Sequence, residues 1–118
     1  MDQTTLDSIK TELSNAVQDQ LKDAKGSLDD VKKAVADYLE SNKDEYQQWA
    51  DAALNGNFPK DQAKLVLDAD KVSLENILIG YALKVQLDSQ DKATTLLKKL
   101  AVTVINLILK KLGIPLTL

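Results

Sequence analysis

From Leu100 to Leu109 the chain reads LAVTVINLIL, with Thr103 and Asn106 its only polar members and Lys98–Lys99 and Lys110–Lys111 on either side. A stretch this apolar must leave water, and whatever covers it limits the whole fold: a bilayer, a sheet or other helices. At about 100° per residue, Thr95, Lys99, Thr103, Asn106 and Lys110 share a strip of helix roughly 80° wide. On a strand, where side chains alternate, these residues would scatter over both faces. Helix is therefore predicted from Ala93 to Leu112. The uninterrupted apolar part makes only about 15 Å of helix, against a hydrocarbon core of about 30 Å, so no transmembrane segment is predicted. The expected role is a central helix of a soluble bundle, with one polar edge in water.

The segment before it has the same inverted pattern. Between Val72 and Leu87 the polar positions Asn76, Gly80 and Lys84, with Asp88 beyond, recur every four residues and almost everything else is apolar. Local alternation in KVSLEN and LKVQLD makes strands a rival reading, but the length of the run and its continuous polar stripe favour helix. With DSQD as the turn, residues 72–88 and 92–112 form an apolar helical hairpin.

The first half is the opposite case, thin apolar stripes on polar helices. Leu6, Ile9, Leu13, Val17, Leu21, Ala24, Leu28, Val31, Val35, Tyr38 and Leu39 follow one stripe, heptad-like from Val17 onward. Gly26 interrupts it, and Ser27 with Asp30 resembles a capping box. Two readings fit, one long helix kinked at Gly26 or two helices meeting there, and the unbroken phase of the stripe favours the first. A further helix is expected from about Asn42 to Leu54. Gly56 suits its end and Pro59 the start of a short helix to about Asp68. The fold class is thus all-α: one domain over 1–118, a bundle of four to six helices, with 1–3 and 115–118 frayed.

Composition narrows the chemistry. There is no cysteine and no histidine, and all 15 basic residues are lysine. Disulfides, thiolate chemistry and the commonest metal ligand are absent, as is the arginine fork that reads phosphate and guanine edges. A net charge of −3 also opposes nucleic-acid binding. MDQTTLDSIK has neither the basic nor the apolar region of a signal peptide, which predicts a cytoplasmic protein, with secretion left open for a chain whose leader has been removed.

Candidate sites are few. Asp68, Asp70 and Glu75 faintly resemble a calcium loop, but with Asp68 first the required glycine is Ser73 and the bidentate glutamate is Ile79, so no metal or cofactor is predicted. Acidic residues near the helix starts are accounted for by capping and the helix dipole. No residue is nominated for catalysis, and the chain reads as non-enzymatic. Tyr46, Trp49 and Phe58 are candidates for an aromatic anchor, with the competing reading that Trp49 closes one end of the core. Lys98, Lys99, Lys110 and Lys111 could meet an anionic surface, or be the solvated ends of an apolar helix.

The function expected from this is interaction with a protein partner or self-association as a homodimer, since so short a chain has difficulty covering two largely apolar helices. The alternative is a peripheral lipid or apolar-ligand binder that uses the helix 93–112.

Overall fold

The structure, a computed structural model, describes residues 1–118 and contains five helices and no strand. These are α1 (Gln3–Gln20), α2 (Asp29–Leu54), α3 (Lys60–Ile79), the single turn α4 (Ala82–Val85) and α5 (Gln90–Lys111). α1 and α3 each pack on both α2 and α5, so the long helices close around one core, and α4 lies against α5. The all-α bundle expected from the residue patterns is what the chain forms.

Each helix buries the stripe its spacing marks. α1 contributes Leu6, Ile9, Leu13 and Val17, and α5 contributes both faces of its apolar sector, from Ala93 to Leu109. The core holds 27 side chains and none of them is polar or charged. Along the polar strip of α5, Thr95, Lys99 and Lys110 are exposed while Thr103 and Asn106 are half-buried. Asn106 is half-covered because residues beyond the helix fold back over it. Its Oδ1 accepts the Leu118 N–H at 2.7 Å and its Nδ2 donates to the Leu118 carbonyl at 3.2 Å. Ile114 and Leu116 are buried beside it. Residues 115–118, expected to fray, are thus part of the packing.

Local caps close four of the helix ends. Asp2 accepts the Thr5 N–H at 2.7 Å to start α1, and Ser89 accepts the Lys92 N–H at 3.1 Å to start α5. Gly56 and Gly113, both at positive φ, close α2 and α5, with paired backbone bonds from Gly56 to Ala53 and Asn57 to Ala52, and from Gly113 to Lys110 and Ile114 to Leu109. This double closure needs a left-handed residue, which glycine adopts without strain.

Three helix boundaries differ from the sequence reading. The long N-terminal helix is two helices, because residues 21–28 leave helical geometry. There the Lys25 and Gly26 N–H groups donate to the carbonyls of Gln86 and Val85, both at 3.1 Å. Gly26 approaches α4 so closely that a Cβ would collide with the Lys84 carbonyl. Gln86 takes a left-handed backbone (φ 50°, ψ 62°) at this junction. The stripe keeps its phase across the break because Leu21 and Leu28 are buried in the same core, not because one helix carries both.

The other two differences are fusions. The helix expected to begin at Asn42 is the second half of α2, since the Asn42 Nδ2 donates back to the Tyr38 carbonyl at 2.8 Å instead of capping a new start. The short helix after Pro59 runs on through the acidic stretch 68–70 to Ile79 and takes in the first half of the helix expected over 72–88, which breaks there. Of its second half only the turn α4 is helical, so the hairpin expected of 72–88 with 92–112 is instead α3 packed on α5. No glycine or proline interrupts residues 60–79, so nothing local opposes continuation.

Candidate functional site

Helical spacing sets two stripes against each other where α2 meets α3. From α2 come Ala34, Asp37, Tyr38, Ser41 and Asn42, which share one helix face. From α3 come Asp70, Ser73, Leu74 and Ile77, with Tyr81 just after the helix. Between them lies a groove of about 390 Å³. Its walls alternate apolar surface (Ala34, Leu74, Ile77 and the two rings) with carboxyl, hydroxyl and amide groups, and no lysine lines it.

Below the groove is a chain of aromatic residues. The Tyr38 and Tyr46 hydroxyls are 2.8 Å apart, their rings meet edge to face at 6.3 Å, and Tyr46 meets Trp49 edge to face at 5.7 Å. Burial raises the Tyr46 hydroxyl far above its usual range, with the Tyr38 hydroxyl adding to the effect. Burial also raises Tyr38 well above the range, opposed by its bond to Tyr46. Both phenols therefore stay protonated and neutral across the physiological range.

Asp70 is the unusual member. Its Oδ2 is out of solvent and has no hydrogen-bond partner. Burial raises its carboxyl above the ordinary aspartate value, with the nearby Tyr38 hydroxyl acting in the opposite direction. Burial raises Glu45 as well, and the charge of Asp70 adds to that. An acid with a raised folded-state pKa binds protons more tightly folded than unfolded, so stability falls as pH rises through that folded value. Asp70→Asn is therefore expected to raise Tm at neutral pH and to lose that advantage towards pH 4 and below, where both states of Asp70 are protonated. Thermal unfolding of both proteins across this pH range checks it; a variant less stable than wild type at neutral pH would show that the carboxylate is satisfied.

The residues singled out in the sequence do not form one exposed surface. Tyr46 is 0% exposed and Trp49 9%, so Tyr46 offers no surface to a partner and the aromatic cluster serves as core. Phe58 is half-buried against it. Lys98 and Lys99 lie about three turns from Lys110 and Lys111 along α5, with Lys99 and Lys110 about 17 Å apart. All four are exposed, and Lys111 is paired with Glu12 at 2.7 Å. No group of three or more acidic side chains converges as a metal-ligand set, and no helix is long and apolar enough to cross a membrane.

Two features were missed in the sequence reading. One is the groove, whose signal lay in the 34/37/38/41/42 spacing of small and polar residues beside an apolar stripe. The other is the outward side of α3, opposite its buried Ala63, Leu67, Leu74 and Leu78, where Leu65, Ala69 and Val72 are exposed. Fold and surface together define a small all-α bundle with a mixed groove between α2 and α3 and an uncovered apolar face on α3. Comparison with protein-family models, with curated proteins and with solved structures gives no match.

Proposed function

We propose that this chain is a non-enzymatic interaction protein that meets another polypeptide, a second copy included, with the outward face of α3. One observation carries the reading: Leu65 is 73% and Val72 54% exposed, two turns and about 10 Å apart on one stripe, with Ala69 between them. Apolar side chains in this register are what a helix lays into the groove of a partner. Leu83 on α4, 75% exposed, adds to the uncovered apolar surface. Asp61, Asp68 and Glu75 follow one flank of the stripe by helical spacing. Two copies packed antiparallel would bring like charges together, which favours a partner with basic flanks. The lipid-facing alternative has less support, because eight apolar side chains of α5 are already in the core.

The test is the double variant Leu65→Glu/Val72→Glu, which leaves the core untouched. Association is expected to weaken at least about tenfold, with Tm unchanged. Sedimentation velocity over a concentration series reads self-association. Mass spectrometry of proteins retained by immobilised wild type and released by the double variant reads a different partner. A wild type that stays monomeric and retains nothing the variant loses would overturn the proposal.

A further inference from the structure

We propose that the groove between α2 and α3 binds a small organic ammonium ion, with Asp70 as its counter-ion and the apolar wall holding the carbon body of the ligand. The groove's volume of about 390 Å³ is at the lower end of small-molecule sites, large enough for an amine with a short alkyl or aryl chain. Ala34, Leu74 and Ile77 supply the apolar wall, and the half-buried rings of Tyr38 and Tyr81 lie beside it. Aromatic rings attract cations as well as hydrocarbon.

The charge at the site has the sign such a ligand needs. Asp37 and Asp70 line the groove without a lysine among the lining residues. Lys33 pairs with the groove's own Asp37 at 2.8 Å, and Lys84 with Asp30 at 2.8 Å while also standing over the Tyr81 ring at 5.9 Å, so Asp70 is the groove carboxylate without a lysine partner. One Asp70 oxygen is out of solvent, and the Tyr38 hydroxyl is a donor beside the carboxyl. An ammonium N–H that reaches the Asp70 oxygen facing the groove forms a charge-assisted hydrogen bond with it. A bare metal ion fits less well, since it needs several oxygens and no three acidic side chains converge.

Trp49, the chain's single tryptophan, meets Tyr46, which is bonded to Tyr38 at the groove, so its fluorescence reports occupancy. The experiment titrates the intact chain with hexylamine and phenethylamine hydrochlorides, with hexanol and hexanoate as uncharged and anionic controls. Trp49 emission and backbone amide NMR shifts of 34–42 and 70–81 are followed. The amines are expected to bind at least about tenfold more tightly than hexanol, and Asp70→Asn to remove that preference. Ala34→Leu, which fills the groove and keeps the carboxylate, is expected to weaken amine binding by a similar factor. Circular dichroism confirms that both variants are folded. Equal binding of amine and alcohol, or full amine binding by Asp70→Asn, would overturn the proposal. Shifts produced by a lysine-containing peptide but by neither free amine would also overturn it, and assign the groove to a partner's side chain. Leu65 does not line the groove, so amine binding retained in Leu65→Glu together with loss of partner binding separates this proposal from the one above.

Discussion

Gly26→Ala is expected to destabilise the protein by about 2–5 kcal/mol, lowering Tm by on the order of 10–20 °C. The added methyl would meet the Lys84 backbone carbonyl, which cannot rotate aside as a side chain does. Relief requires residues 21–28 to lift from α4. That would break the bonds from Lys25 and Gly26 to Gln86 and Val85, each contributing roughly 1 kcal/mol. The sign of the effect is the informative part. In the middle of a continuous exposed helix the same substitution would stabilise by about 1 kcal/mol, because alanine restricts the unfolded chain and favours helix. Urea unfolding of the variant therefore tests the break between α1 and α2 directly. A more stable Gly26→Ala protein would mean that residues 3–54 form one rod.

Ile105→Ala is expected to cost about 2–5 kcal/mol, whereas Thr103→Val changes stability by less than about 1 kcal/mol. Ile105 is fully buried, and its truncation leaves a cavity in a core that is apolar apart from the Tyr46 hydroxyl. Thr103 is half-buried on the polar strip, where its hydroxyl donates to the Lys99 carbonyl at 3.1 Å, a bond the helix does not depend on. The two positions are two residues apart. On a strand they would face the same side and respond alike, while on a helix they are about 200° apart. Urea midpoints for the two variants measure the contrast, and equal losses would contradict a helical α5.

The helical stripes were legible from spacing, and so was the polar edge of α5, because the projection of side chains around a helix is a local property of the backbone. The same holds for the closure at Gly56, where the residue type answers a positive φ. The groove was only half legible. Tyr38 stood on the N-terminal seam and Asp70 in an apparent loop, and nothing local indicates that they line one groove. Asp70 fell between the helix expected to end near Asp68 and the one expected from Val72, yet helical continuation through this stretch is opposed by no glycine or proline.

The exposed face of α3 follows from a similar limit. Its residues are apolar on more than one side, and which side is buried depends on how many neighbours the bundle supplies. α3 has α2 and α5 beside it and none beyond Leu65 and Val72.

What the sequence by itself determined is therefore the set of periods: helix throughout, apolar stripes narrow in the first half and broad in the second. These are properties of the chain's own geometry. Only the tertiary structure decided where helices stop and which faces stay wet. A backbone amide at Gly26 leaves its helix when a distant carbonyl accepts it, and an apolar side chain leaves water only when another element is close enough to cover it.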